Sequence, residues 1–386
     1  MIICPQEECT GCAACLNVCS HHAITMAEGM NGHLFPHIDG DKCVNCKLCV
    51  KTCPNNNAPV YHTPIASYVA TAKDSKEALN STSAGIASVL ARHIIALGGV
   101  VYGSCGLDCQ HIRHIRVTSF EDIDKLKGSK YVQSAIDNTF NLVKNDLGKG
   151  AKVLFIGTPC QVAGLYGFLR KEYENLYTVD LICHGVPSQK TLTDALHDYL
   201  PKADLSHVKV AFRQKEKGKS LYGLFVNDEN GKSLYRSTFP DNDYIVGFLY
   251  GLYYRDSCYQ CHYTHPERVS DITIGDYWDT EKKISLQNAT NGLSMVIVNT
   301  KEGFALLDKC DSLLDKIVGD YQYFIKRNGQ LHHPIKRHDS YDNFKKEYLQ
   351  KGFLKAAKNS LKKHKRQLRK VLFRQRLSKY FHAIFG

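Results

Sequence analysis

Sixteen cysteines stand out in this 386-residue sequence, and eight of them share one repeated spacing. "CTGCAACLNVCS" places Cys9, Cys12, Cys15 and Cys19, and "CVNCKLCVKTCP" places Cys43, Cys46, Cys49 and Cys53. Both read C-x2-C-x2-C-x3-C. Three thiolates so spaced wrap one iron–sulfur cube on a single turn of chain, and the fourth points away to a second cube. The spacing therefore assigns Cys9, Cys12, Cys15 and Cys53 to one 4Fe–4S cluster and Cys43, Cys46, Cys49 and Cys19 to another. Gly11, Ala13 and Ala14 are small enough for backbone N–H groups to approach the sulfurs. Zinc sites use two cysteine pairs rather than a triplet plus a fourth. Cys4 is surplus and is expected to be structural.

A second set is scattered through the chain. Cys160 lies in "KVLFIGTPCQVAGL", where a β-branched apolar run stops at a Gly-Thr-Pro turn and a helix-like segment follows. Cys183 ends "NLYTVDLIC", and Cys258 and Cys261 form a CxxC in "CYQCHY". Cys160 and Cys183 are expected at the C-terminal ends of strands, and neighbouring strands of a parallel sheet would bring them together. A CxxC from a later loop could complete four thiolates, although alone it is also a zinc or redox motif. Cys160 could instead be a nucleophile assisted by His184, which requires a lowered thiol pKa and leaves the other three cysteines unexplained. Cys105, Cys109 and Cys310 read as core residues.

Alternating strands and helices must position these sulfurs. "ASYVATA" and "VVYGSCGL" read as strands, and "AGIASVLARHIIALGG" as a helix ended by glycine. A helix is expected over about 136–147, and 152–172 is the strand–helix unit that carries Cys160. Short alternating strands ("HVKVAFRQ", "LYGLFVND") occupy 206–240, "ISLQNATNGLSMVIVNT" returns to a strand, and a helix over about 302–315 follows. This order predicts an α/β (α+β) core with ligand loops at the strand ends, preceded by a small dicluster domain. The expected divisions are 1–58 for the dicluster domain, 59–80 for a connector with the first strand, 81–148 and 149–345 for the two parts of the core, and 346–386 for a basic tail.

An apolar content of 43% supports a substantial core. "MIICPQEECTGC" has neither a basic n-region nor an uninterrupted apolar run, so no signal peptide is expected. The longest apolar stretch, 86–102, is interrupted by Arg92, His93 and a glycine pair, which argues against a membrane span. So many cysteines in a large chain without a signal fit metal-bound thiolates in a reducing cytoplasm. The net charge of +12 comes wholly from the end: twelve Lys or Arg and no Asp or Glu lie between Lys351 and Gly386. Phe373, Leu377, Tyr380, Phe381 and Ile384 recur there at helical spacing. A helix of this kind could lie on an anionic membrane as a peripheral attachment, dock on an acidic partner, or pack on its own domain. Nucleic acid is not an expected partner, because the basic excess stops at the tail.

The first stretch resembles a bacterial 2×(4Fe–4S) ferredoxin domain over residues 4–58, with Ser20 where the pattern usually has Pro and with Pro54 retained. Residues 66–310 resemble the beta-subunit family of coenzyme F-420 hydrogenase/dehydrogenase, iron–sulfur flavoproteins. The matching stretches are "STSAGIASVL", "KGSKYVQS", "IGTPCQVAGL", "DLICHGVPS", "CYQCHY" and "DITIGDYW". The resemblance implies a flavoprotein core with a third 4Fe–4S cluster on Cys160, Cys183, Cys258 and Cys261, and FAD beside it. It places the flavin against Ser81, Ser83, Gly85, Gly128, Ser129, Lys130, Tyr131, Gly157, Thr158 and Gln161. Small loop residues before a helix expose N–H donors to a pyrophosphate, and Lys130 can offset its charge. The family often has Gly-Gly where this chain has Ala84-Gly85.

The implied function is an oxidoreductase passing electrons between one-electron clusters and FAD. It would serve a ferredoxin-like protein partner and a small-molecule substrate, deazaflavin-like or other, in either direction. The alternative is a non-catalytic electron-transfer subunit of a larger redox complex. Asp276, Tyr277 and Trp278 either face the substrate or close the sheet edge. His332, His333 and His338 read as surface residues.

Overall fold

The N-terminal sequence repeat is also a repeat of backbone conformation. Gly11 and Ala13 in the first copy, and Asn45 and Lys47 in the second, adopt φ of 66°, 58°, 57° and 58°. Left-handed backbone costs a non-glycine residue roughly 1–2 kcal/mol, so the same angles at three such residues mark a conformation held by its surroundings. Two short helices, α1 (Ala14–Val18) and α2 (Leu48–Thr52), start directly after Ala13 and Lys47. Cys19 and Cys53 follow them as extended caps. Between the copies, β1 (Ile24–Glu28) pairs antiparallel with β2 (Leu34–Ile38). This computed structural model describes residues 1–106, 108–216, 219–278 and 284–385, with the backbone alone for 219 and 375–385.

The following elements, in chain order, are β3 (Ala66–Ala72), α3 (Ser75–Asn80), α4 (Ile86–Ala96), β4 (Val100–Cys105), β5 (Arg113–Val117), α5 (Thr139–Gly148), β6 (Val153–Gly157), α6 (Pro159–Leu169), β7 (Leu176–Leu181) and α7 (Gln189–Tyr199). A three-stranded antiparallel sheet of β8 (Val208–Glu216), β9 (Lys219–Asp228) and β10 (Ser233–Thr238) comes next, then α8 (Asp243–Leu249). The chain returns through β11 (Ile272–Asp276), β12 (Ser294–Val298), α9 (Lys301–Lys309) and β13 (Leu314–Val318). It ends in α10 (Tyr321–Arg327), α11 (Tyr341–Lys351) and α12 (Phe353–Phe385).

Among the described residues the main sheet has eight strands in the order β13-β3-β12-β11-β7-β6-β4-β5. Its centre, β4-β6-β7-β11, is parallel, and both edges are antiparallel. The core is therefore mixed α/β. The helix expected over 302–315 stops at Lys309, and the chain turns into β13 as an edge strand on β3. Leu314 is buried there in the sheet core, so its apolar side chain belongs to a strand and not to a helix face. One face of the sheet is covered by α4 and α9 through Leu90, Ile94 and Leu306. The other is covered by α5 and α6, whose Phe140, Val162 and Leu165 also bury Ala13 and Ala14 of the N-terminal repeat.

A further core joins the small sheet to α8, α11 and the start of α12. Phe353, Ala356, Ala357 and Leu361 are fully buried there beside Tyr244, Tyr253 and Phe344. Lys365 Nζ then donates to Asp243 Oδ1 at 2.7 Å and Arg369 to Asp241 at the same distance. Beyond them Val371 and Phe373 are exposed. The side chains of Leu377, Tyr380, Phe381 and Ile384 lie outside the described residues. No helix among the described residues is long and apolar enough to cross a membrane.

Candidate redox site

Strands β6 and β7 are parallel neighbours with Gly157 opposite Asp180, so the chain leaves both at the same end of the sheet. Cys160 is the second residue of α6, and Cys183 lies two residues past β7. The "GTPCQ" turn is a capping box. Gln161 Oε1 accepts from the Thr158 N–H at 3.0 Å, and Pro159 takes the first helical position, where no N–H is needed. Thr158 Oγ1 sits 3.2 Å from Cys160 Sγ. Cys258 and Cys261 follow α8, Cys258 inside a 3-10 turn over Asp256–Gln260. All four residues line one cavity of about 420 Å³.

Burial pushes the Cys160 thiol up to about 11 and Cys183 up to about 12, and raises Cys258 and Cys261 as well. Thiols that resist ionisation by themselves make poor nucleophiles, whereas a bound metal supplies the positive charge a buried thiolate lacks. Among the described residues no hydrogen bond joins Cys160 to His184, whose ring instead lies 6.5 Å from that of Phe248. In a 4Fe–4S cube each thiolate holds a different iron, so the sulfurs stand further apart than ligands sharing one ion. No three His, Cys, Asp or Glu side chains among the described residues are placed to hold a single ion.

The N-terminal repeat leans on the same wall. α1 packs on α6, and Thr10 joins the cavity lining. Cys9, Cys12, Cys15, Cys49 and Cys53 are buried, Cys19 and Cys43 are half-buried, and Cys46 is exposed. Alternating left-handed residues at Gly11, Ala13, Asn45 and Lys47 turn successive N–H groups inward, the concavity that suits an anionic cluster. Cys4 is half-buried beside Cys9 and Cys53.

All ten residues expected around the flavin also line the cavity: Ser81, Ser83, Gly85, Gly128, Ser129, Lys130, Tyr131, Gly157, Thr158 and Gln161. Gly85 has φ 85° and starts α4 without a side-chain cap, leaving the first-turn N–H groups available to an anion. Ala84 is fully buried and absent from the lining, so the methyl that replaces a glycine hydrogen does not crowd the cavity. Lys130 Nζ donates to the carbonyls of Leu126 at 2.8 Å and Lys127 at 2.9 Å, and burial lowers it to about 8. Tyr131 stacks on Phe248, ring centroids 4.1 Å apart. Gln161 is committed locally: besides capping α6 it donates to Ser134 O at 2.8 Å.

Several residues at the site were not anticipated. Lys215 reaches from β8 to the carbonyls of Ala78 and Ser83, at 2.6 and 2.5 Å, and so braces the serine loop. Arg255 lies between the two groups of cysteines. Asp276 and Trp278 face the cavity while Tyr277 packs on Phe324, the alternation of an extended chain. Asp276 holds Arg213 at 2.6 Å, and that guanidinium lies over the rings of Tyr222 and Trp278. His332 and His333 are exposed, but His338 is half-buried against His364. Cys109 and Cys310 are buried, whereas Cys105 is only half-buried at the end of β4.

Fold and cysteine geometry together define an iron–sulfur protein of the electron-transfer, oxidoreductase-associated class. Residues 150–314 match the family described as the C terminus of the coenzyme F420 hydrogenase/dehydrogenase beta subunit, and residues 8–57 match the 4Fe-4S dicluster domain. Residues 150–314 thus form a domain of that beta-subunit family, joined to a 4Fe-4S dicluster domain at the N terminus. It is similar to an uncharacterized ferredoxin of Methanocaldococcus jannaschii, 36% identical over 55 residues, which is 14% of this chain and 70% of the relative. An uncharacterized protein from the rpl9-rpl11 intergenic region of Porphyra purpurea is 35% identical over 54 residues, 14% of this chain and 72% of that one. Among solved structures, a chain of the xenon-derivatised F420-reducing NiFe hydrogenase complex from Methanosarcina barkeri aligns at 19% identity. That alignment covers 80% of this chain and 92% of the other, with a TM-score of 0.46.

Proposed function

We propose that this chain is an iron–sulfur flavoprotein oxidoreductase with three 4Fe–4S clusters and one FAD. It exchanges electrons between a one-electron protein carrier and a small-molecule substrate, deazaflavin-like or other. The observation that carries this reading is the shared cavity: the four cysteines of the second set and ten loop residues, drawn from five separate stretches of sequence, line one space of about 420 Å³. Clusters pass single electrons and a flavin accepts one or two, so the pair supplies the coupling between the two kinds of chemistry.

The chain's own residues bind and orient. Cys9, Cys12, Cys15 and Cys53 hold the inner cluster of the dicluster domain, and Cys43, Cys46, Cys49 and Cys19 the outer one. Cys160, Cys183, Cys258 and Cys261 hold the third. Lys130 and the N–H groups at the start of α4 face the flavin's pyrophosphate, and Tyr131, stacked on Phe248, forms an aromatic wall. Exposed Cys46 marks the outer end, where a ferredoxin-like partner meets the chain. The last turns of α12 lie on an anionic membrane. Supporting this are the exposed Val371 and Phe373 and a stretch from Lys351 onward that carries no acidic residue.

Anaerobic purification with iron and flavin analysis tests the reading. The expected result is about twelve irons and one non-covalent FAD per chain. Iron near eight would remove the third cluster. Iron near twelve with no flavin after reconstitution would leave a non-catalytic subunit for electron transfer alone. The membrane contact is tested by co-sedimentation with anionic vesicles at low and high salt, and equal solubility of the full chain and one ending at residue 369 would overturn it.

A further inference from the structure

Arg255 is 1% exposed, and a guanidinium so placed needs a negative charge beside it. The other arginines with buried side chains have one: Arg213 pairs with Asp276 at 2.6 Å and Arg268 with Asp180 at 3.2 Å. Among the described residues no carboxylate pairs with Arg255. Its acceptors are neutral: Cys9 O at 3.1 Å, Leu34 O at 2.7 Å and Gln133 Oε1 at 3.0 Å. Its flat face lies over the Phe35 ring, 4.7 Å from the centroid. The groups able to give it a counter-charge are thiolates, those of Cys9, Cys258, Cys160 and Cys12.

Arg255 also ties the two cysteine sets together through backbone. Its guanidinium donates to the Cys9 carbonyl, while its own carbonyl accepts from the Cys258 N–H at 2.9 Å. Next to it, Ser257 Oγ donates to the same Cys9 carbonyl at 3.1 Å. Gly11 leaves room for this, since a Cβ there would stand 2.6 Å from Arg255 Nη2. One side chain thus spans the seam between the dicluster domain and the core.

We infer that Arg255 is a positioning residue whose fixed positive charge is shared by the two iron–sulfur sites it joins, setting their spacing and raising the reduction potential of both. The two are the site on Cys9, Cys12, Cys15 and Cys53 and the site on Cys160, Cys183, Cys258 and Cys261, so the inference rests on the three-cluster reading. Reduction adds negative charge at each site, and a cation held nearby favours the reduced form. Cys43, Cys46, Cys49 and Cys19 line a separate cavity that Arg255 does not join, and none of them is among the thiolates that act on it.

The test is a potentiometric titration followed by electron paramagnetic resonance on anaerobically purified full-length protein, with iron counted in each sample. Arg255→Gln is expected to make two of the three midpoint potentials more negative and leave the third unmoved. Arg255→Lys, which keeps the charge and loses the fork, is expected to restore most of the shift. Should Arg255→Gln fail to accumulate, Gln133→Ala removes one anchor of the guanidinium, and a smaller shift at the same two sites is expected. Full iron with no potential moved, with all three moved alike, or with no rescue by lysine would overturn the inference. Iron near eight in the unmutated protein would instead overturn the three-cluster reading beneath it.

Discussion

Gly164 of α6 stands directly against Cys12 of the first cysteine motif: a Cβ at Gly164 would lie 2.8 Å from the Cys12 Cβ and 2.9 Å from its sulfur. Gly164 is four residues after Cys160, so both occupy one face of the helix, roughly 6 Å apart along its axis. A single helical turn therefore carries a cysteine of the core set and the resting place of a cysteine of the dicluster domain. Cys12 is close enough to Cys160 to feel its charge. That closeness is what a short electron path between two clusters requires.

Replacing Gly164 with alanine tests the contact. In a free helix the change would stabilise by about 1 kcal/mol. Here the methyl group must displace Cys12, and overpacking of this kind costs about 1–3 kcal/mol. The expected outcome is a lowered melting temperature together with reduced iron retention at the first motif. A raised melting temperature with full iron would mean that Cys12 yields freely.

Cys160→Ser separates the ligand role from the nucleophile role. As a ligand, Cys160 is one of four, and its loss is expected to lower iron by about four per chain while the signals of the dicluster domain persist. As a catalytic thiol its loss would abolish turnover and leave iron unchanged. Iron analysis alongside electron paramagnetic resonance distinguishes the two.

If the cavity takes FAD as proposed, Lys130 gives that binding a pH dependence. With the cavity empty of anions, burial holds its amine at about 8, and a bound pyrophosphate favours the charged form and raises that value. Below pH 8 the lysine is charged with or without ligand, and affinity is full. Above it the protein must take up a proton to bind, so FAD affinity is expected to fall about tenfold per pH unit. Fluorescence titration of FAD across that range measures it, and Lys130→Met should bind weakly at every pH with the slope gone.

What was legible in the sequence was local. The eight cysteines of the repeat signal themselves because each triplet folds on one turn of chain. Cys160 and Cys183 were legible as neighbours because β6 and β7 follow one another as parallel strands. The flavin loops rested on resemblance, since Ser and Gly before a helix are equally ordinary caps. Arg255 was not legible: the partner that gives it meaning, Cys9, is 246 residues away, and nothing in "YYRDSCYQC" says the side chain will be buried. Lys215 was hidden likewise, its contact with Ser83 spanning 132 residues. In α12 the charge run concealed four buried apolar residues, because lysines spaced around a helix look the same whether or not one stripe is covered.

That stripe makes the final prediction. Phe353, Ala356, Ala357 and Leu361 complete the core beneath the small sheet, and Lys365 and Arg369 are the last side chains tied to Asp243 and Asp241. Among the described residues, those past 369 carry no such contact, so a chain ended there keeps every tie named above. It should keep its melting temperature and its iron. A chain ended at residue 352 loses the buried stripe and should unfold readily. Phe353→Ala isolates the largest part of that loss, and removing a fully buried phenylalanine costs about 3–5 kcal/mol. Thermal unfolding of the three variants checks the order, and a residue-352 truncation as stable as the full chain would mean that α12 rests on the body without supporting it.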